Sequence, residues 1–450
     1  MLGTAPIRRT DTADVVVVGA GLAGLAAAHE LAGAGLAVTV VEAADAVGGR
    51  MATTDADGYR LDHGAHLLCA DWPELNRFPA FAALTLRPFA PGAVVRGTER
   101  TVRLGGARAL RPGAGGAAGG GTGSTGGSAR HTARSLGTAL DAARLRAQLA
   151  RLAATAPERL LARPEQPAAR AWAARGVPSR TVGTLLRPLV AALTADPGLT
   201  TSSRVVDLAL RGFARRGLAL PAGGASTLPG LLAAALPRGT VRTGVRAVAV
   251  SANAVETDGG GTLGCRAVLI ATGARDAAAL LPGVRVPRYH PVTVLHHAAD
   301  AAPPPADPAL VLDGDRRGPV THTAVASAVD PSRTPPGRTL VTSVVLGANA
   351  LAPPGVLDEA VRPQLGALYG VDARRWELLA VHHEPHAVPA MPAPHDARRP
   401  VRVLTGLYLC GDHRDTGTPQ GALRSALRAA EAVRRDFGVP ACPRPVLRAA

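Results

Sequence analysis

Residues Val15 to Arg50 read VVVVGAGLAGLAAAHELAGAGLAVTVVEAADAVGGR. An apolar run, Val15 to Val18, enters a turn carrying Gly19, Gly21 and Gly24; a helical pattern follows from Leu22 to about Ala34, and a second apolar run ends at Glu42. This is the pattern of a βαβ unit. Gly19 permits the tight turn out of the strand, Gly21 lets the backbone approach a pyrophosphate, and Gly24 lets the helix pack close to the sheet. Leu22 and Ala23 open that helix, whose unpaired N–H groups and partial positive charge suit a diphosphate. Glu42, with Ala43 beside it, stands where a carboxylate receives the ribose hydroxyls of an adenosine. The stretch reads as a dinucleotide site.

Gly48, Gly49 and Arg50 follow, a turn that NAD-binding units usually lack. Arg50 is expected to wrap back onto the diphosphate with a charge-assisted contact. Taken together, these residues resemble the N-terminus of the FAD-dependent flavin amine oxidase and phytoene desaturase superfamily, which implies FAD as cofactor. A second stretch, LYLCGDHRDTGTPQGALRSALRAAEAV from Leu407 to Val433, resembles the same family. Leu407 to Cys410 reads as a strand, Gly411 and Asp412 as a turn, and Thr418-Pro419 as the cap and first position of a helix. Gln420, Gly421 and Ala422 would then offer free backbone N–H groups, with Gly421 leaving room for something flat. By resemblance that is the flavin pyrimidine edge, and Asp412 contacts the FAD phosphate or ribityl region. The helix dipole would favour electron acceptance by roughly 0.3 to 2 kcal/mol.

Between these anchors, Tyr59 to Asp62 reads as a strand that delivers Asp62, His63, Gly64 and His66 to a loop. His63, His66 and His413 are the candidate bases. A strand over Arg242 to Val250 would, by resemblance, bring the backbone of Val245 to the adenine, and a strand over Ala267 to Thr272 ends at Gly273, where a small residue lets the cofactor pass. Helices are predicted over Thr181 to Ala195, Val205 to Ala214, 226–236 and Val356 to Tyr369. Strands are predicted at Ala93 to Arg96, Thr101 to Leu104, Val292 to His296, Val320 to Ala326 and Leu340 to Leu346. His382, His383, His386 and His395 cluster among prolines, and no metal is expected. The fold expected is α/β. A Rossmann-like FAD-binding domain (1–66, 222–285 and 398–450) would carry a discontinuous α+β substrate domain (67–221 and 286–397) of antiparallel sheet plus helices. Residues 105–128, rich in glycine, read as a flexible insert.

The chain of 450 residues has a formal charge of +16 and a sequence pI near 11.2. Such values invite nucleic acid or an anionic membrane. All the basic side chains are arginine, however, they are scattered, and aromatics make up 3%, so the charge is read as compositional and no nucleic-acid partner is expected. Cys69, Cys265, Cys410 and Cys442 show no paired spacing, which fits a reduced, cytoplasmic protein. The first residues lack an apolar core of signal-peptide type, and no apolar run approaches about 18 residues. Leu136 to Leu152 is a basic amphipathic helix, suited to core packing or to peripheral contact with the inner face of a membrane.

The resemblance implies hydride transfer from a substrate C–H bond to flavin N5. Amine oxidases of the superfamily generally pair the flavin with a lysine and flank the amine with aromatic rings. This chain has no lysine and only 4 Tyr, 5 Phe and 3 Trp. The function expected is therefore that of a dehydrogenase or desaturase acting on an apolar small molecule, isoprenoids included, with oxygen or a quinone as electron acceptor. Two alternatives stand beside it: a flavin amine oxidase, and a non-catalytic protein like the Rab-escort and GDP-dissociation-inhibitor proteins, which share the fold.

Overall fold

The structure is a computed structural model and describes residues 13–69, 72–98, 101–104, 143–304 and 307–440. The expected insert at 105–128, Leu136, Leu140 and Cys442 lie outside the described residues.

The chain opens with β1 (Ala13–Val18), α1 (Leu22–Gly33) and β2 (Val38–Val41), then a hairpin, β3 (Thr53–Ala56) and β4 (Tyr59–Asp62), and short β5 (Leu68–Cys69) and β6 (Leu86–Pro88). β7 (Ala93–Arg96) and β8 (Thr101–Leu104) follow. A helical stretch comes next: α2 (143–154), α3 (Pro157–Leu161), α4 (Ala168–Ala174), α5 (Ser179–Thr181), α6 (Arg187–Thr194) and α7 (Ser203–Arg216). β9 (Leu218–Pro221) leads to α8 (Thr227–Ala234), to strands β10 (Val241–Arg242), β11 (Ala247–Val250), β12 (Ala254–Thr257) and β13 (Thr262–Ile270), and to α9 (Ala274–Leu280). Long strands then dominate: β14 (Tyr289–Ala299), β15 (Leu310–Asp313), β16 (Val320–Val325), α10 (Ala326–Val329), β17 (Thr339–Leu346), α11 (Pro354–Tyr369) and β18 (Glu377–Pro389). β19 (Arg402–Leu404), β20 (Leu407–Leu409) and α12 (Pro419–Asp436) complete it.

Two sheets organise the molecule. In the first, β10, β2, β1, β13 and β20 run parallel, and β12, β11 and β19 are added antiparallel. The alternation in β1 explains its two covers. Val15 and Val17 pack with α1, α8 and α12, whereas Val16 and Val18 pack with Leu263, Val268, Ile270 and Leu409 on the opposite face. The second sheet has the order β18-β14-β17-β16-β15-β7-β8 and is antiparallel except where β15 meets β7. α11 covers one face through Val361, Leu365 and Leu368, and α6 lies over the other through Leu189 and Val190. These are the α/β sheet with helices and the antiparallel sheet with helices that the sequence suggested.

Three details depart from expectation. The predicted strand over Arg242 to Val250 is broken, because Gly244 takes φ +67 between β10 and β11. The predicted helix over Thr181 to Ala195 contains a π-helical turn, Val182–Leu186, directly before Pro188. Proline has no N–H for the fourth preceding carbonyl and its ring crowds it, so the helix opens there. β18 was missed because Pro385 and Pro389 interrupt it; it is an edge strand with a register shift opposite His290 and Val292, where prolines are tolerated. In α2, the leucines at 145, 149 and 152 are buried in the core, so that face is committed to packing.

A buried ion cluster joins the β3–β4 hairpin, the end of β9 and the turn after α10. Arg333 is 2% exposed and donates to Asp62 at 2.6 Å, to Asp330 at 3.2 Å and to the carbonyl of Pro221 at 3.0 Å. Asp62 also accepts from Thr53 and from the Ala225 N–H, and Asp330 accepts from the Gly223 N–H. Burial by itself would raise the Asp62 carboxyl, but the Arg333 charge and these hydrogen bonds outweigh it and hold the carboxyl below its usual range. Its stabilising contribution is therefore full above the unfolded value of about 3.9 and is lost as pH falls through the lower folded value. Asp62→Ala should destabilise the protein by about 1.5 to 3 kcal/mol at pH 7, because it removes one of the two carboxylates paired with Arg333 and the acceptor of the Thr53 hydroxyl and the Ala225 N–H. Urea titrations of both proteins at descending pH should show the gap narrowing in acid; a constant gap would exclude this ion pair as its cause.

Candidate active site

At the end of β1 the three glycines of the first turn meet different demands. A Cβ on Gly24 would stand 1.9 Å from the carbonyl oxygen of Gly19, and Gly19 itself takes φ +104 against Ala271, so both are required by the chain's own packing. Gly21 is different: a Cβ there would meet nothing within 4 Å. The space beside it is open and borders the cavity. Glu42 is fixed over this turn, with one carboxylate oxygen accepting from the Ala20 N–H at 2.7 Å and the other from the Ala44 N–H at 3.0 Å. The Gly48 N–H bonds the Ala20 carbonyl, which seats the second glycine turn beside the first.

The turn at Gly48 and Gly49 takes positive φ at both residues and aims Arg50 away from it. The guanidinium was expected on a diphosphate. It forms a bidentate pair with Asp412, at 2.7 and 2.8 Å, and donates to the Ala387 carbonyl at 2.7 Å. Both carboxylate oxygens of Asp412 are thereby engaged, which the assignment to a phosphate or ribityl contact did not anticipate. The two residues still line the cavity. Their pairing fixes the first anchor of the sequence to the second across 362 positions.

At the second anchor, Thr418 caps α12 by accepting from the Gly421 N–H at 3.0 Å, and the Ala422 N–H bonds the Thr418 carbonyl. Two of the three amides expected to be free are therefore taken, leaving that of Gln420. Gly421 has a different reason from the one expected: its Cβ would lie 1.9 Å from the Thr416 carbonyl oxygen, so the glycine serves a close approach within the chain. The Val245 N–H is likewise engaged, by the Glu42 carbonyl at 2.8 Å. Gly411 takes φ +135, and a Cβ there would press on the imidazole of His413.

One cavity of about 1660 Å³ runs between the sheets. Gly19, Gly21, Leu22, Ala23, Glu42, Ala43, Gly48, Gly49, Arg50, Val245, Gly273, Gly411, Asp412, Gln420 and Ala422 all line it; Gly24 and Gly421 stand behind its wall. Its size exceeds the roughly 300 to 1,000 Å³ of a single-ligand pocket, so a dinucleotide leaves room for a second molecule. The rest of the wall is mixed: Leu193, Val292, Leu346, Val388 and Met391 form an aliphatic stretch, Trp72 and Tyr289 are the non-histidine aromatics, and charged groups such as Glu158, Arg211 and Glu384 also line it.

The histidines separate. His63 lines the cavity, bonds the Thr54 hydroxyl and stacks on His382 with centroids 4.1 Å apart. His66 also lines it and bonds the Arg50 carbonyl; burial lowers its imidazole and keeps it neutral. His413 is not in the wall. It is 3% exposed beneath Gly411, and burial pushes it down to about 4. It is corrected from candidate base to packing residue. Of the clustered histidines singled out in the sequence, His386 lines the cavity and His382 packs between His63 and His296 without lining it. His322 also lines it and was not singled out; only the sheet order brings it there. Among the described residues, no group of three or more His, Cys, Asp or Glu could hold a metal ion.

These features fit a dinucleotide: open space at Gly21, a carboxylate held at Glu42, and backbone from both ends of the chain in one wall. Glu42→Ala should weaken FAD binding about 10- to 100-fold, through loss of its charge-assisted hydrogen bonds to the turn and the ribose. Gly21→Val should do so sterically while leaving the far-ultraviolet circular dichroism unchanged. Flavin content after gel filtration measures both, and full occupancy in Gly21→Val would rule out this turn as the cradle.

Comparison with known proteins agrees with that geometry. The family profile described as flavin containing amine oxidoreductase matches residues 22–434. Phytoene dehydrogenase of Streptomyces griseus is 54% identical over 70 residues, 16% of this chain and 13% of that protein. Putrescine oxidase of Kocuria rosea is 52% identical over 62 residues, 14% of this chain and 13% of that protein. These matches thus span about an eighth of the relatives' length. In fold the likeness is nearly complete: cyclohexylamine oxidase from Brevibacterium oxydans superposes with a TM-score of 0.63 at 19% identity, covering 95% of this chain and 100% of that one. The chain belongs to the flavin-containing amine oxidoreductase family, whose cofactor is FAD.

Proposed function

We propose that this protein is an FAD-dependent dehydrogenase or desaturase that removes a hydride from a C–H bond of an apolar substrate, with isoprenoids within its class. The observation that carries the reading is the aliphatic stretch of Leu193, Val292, Leu346, Val388 and Met391 in the cavity wall, in a chain without a single lysine. Gly19, Gly21, Glu42 and the residues around Gly411 and Gln420 would hold FAD. When bound, FAD supplies the hydride acceptor. The chain's own residues orient and exclude: α6 closes over the second sheet, and Leu193, Val292 and Leu346 keep water from the substrate. His63 is the candidate for receiving a proton, since it borders the cavity and has a hydroxyl partner in Thr54.

An amine substrate is the second reading, supported by the likeness to putrescine oxidase and by Glu158 and Glu384 in the cavity wall, which could receive an ammonium group. Oxygen or a quinone would reoxidise the flavin in either case. The purified protein should be yellow, and under anaerobic conditions isoprenoid alkenes and alcohols should bleach its flavin band while putrescine and cyclohexylamine do not. Bleaching by the amines alone would overturn the apolar reading. Readmitting air or a short-chain quinone then identifies the acceptor by which restores the band faster.

A further inference from the structure

His322 is used neither by the fold nor by the dinucleotide cradle. It lies on β16 opposite Leu312 of β15 and Val344 of β17. Thr323 beside it turns toward Tyr369 of α11, so His322 faces the other side of the sheet. There Val344 packs with Val292, Leu346 and Ala191 in an aliphatic cluster. His322 is 4% exposed and borders the cavity; of its two ring nitrogens only Nδ1 is sealed, without a partner among the described residues, so Nε2 is the one that can meet a molecule in the cavity. No charged group perturbs the ring. Burial pushes it down to about 4, so the imidazole is neutral at pH 7 and presents one donor and one acceptor. A polar group left unpaired in such a wall is unfavourable until something entering the cavity pairs with it.

We propose that His322 is the polar anchor of the substrate cavity, hydrogen-bonding a neutral hydroxyl or carbonyl group on an otherwise apolar substrate. The inference rests on the apolar-substrate reading above and narrows it: the substrate is a neutral amphiphile with one polar group seated at β16. An ammonium group there would be buried with no counter-charge on the ring's neighbours. A hydroxyl or carbonyl group needs none. His322 acts on binding, so it is a specificity-determining residue and has no part in moving the hydride.

The test uses FAD-loaded enzyme and three probes of equal chain length, decane, decan-1-ol and decylammonium, with binding read from the perturbed flavin absorption. The preference for decan-1-ol over decane should fall about 3- to 10-fold in His322→Phe, the worth of one hydrogen bond, and should stay within about twofold of wild type in His322→Gln. An unchanged preference in His322→Phe with its flavin intact overturns the anchor. Should that variant lose flavin, His322→Leu supplies the same comparison. Tight binding of decylammonium alone by the wild type would instead sink the apolar reading, and no binding by any probe would sink both.

Discussion

The structure depends on one buried guanidinium. Arg333 ties Asp62, at the end of β4, to Asp330 in the turn after α10 and to the Pro221 carbonyl at the end of β9. Charges taken out of water in this way are tolerable only when every one of them is paired. Here all three groups are met by partners drawn from distant segments, including the N–H groups of Gly223 and Ala225. The cluster therefore selects one docking of the β3–β4 hairpin, β9 and the turn after α10: any other arrangement would leave an ion buried alone. It also sets the loop that follows Asp62, and so the positions of His63 and His66.

A second ion pair performs a related task nearer the ligand. Arg50 and Asp412 close the cavity's rim by joining two turns that are almost a chain length apart. Their charges cancel locally, and both residues still line the cavity. The amino end of α1 and the open space at Gly21 border it as well.

The part of the cavity away from the glycine turns is walled by the other sheet. Its cavity-facing residues come from β14, β16, β17 and β18 and from the end of α6. The π turn before Pro188 shifts the register of α6 and so decides which of its residues reach the cavity. With few aromatic rings and no lysine in this wall, the protein departs from the arrangement expected for an amine oxidase while retaining the fold it shares with one.

The sequence alone determined the local elements whose signals lie within a few residues. The βαβ unit, the cap at Thr418 and the strands Tyr59–Asp62, Ala93–Arg96 and Thr101–Leu104 emerge where they were expected, because glycine conformation, capping and apolar periodicity are short-range effects. Glu42 and both glycine turns, singled out from the sequence, line one cavity. The sequence did not reveal why Gly421 is a glycine, where the Arg50 charge goes, that His413 is sealed beneath Gly411, or that His322 faces a cavity. Each of those depends on what a distant segment places opposite: the Thr416 carbonyl, Asp412, the Gly411 backbone, and the cover of α6 over β16. Periodicity states which residues share a face, whereas only the packing of whole sheets decides what that face meets.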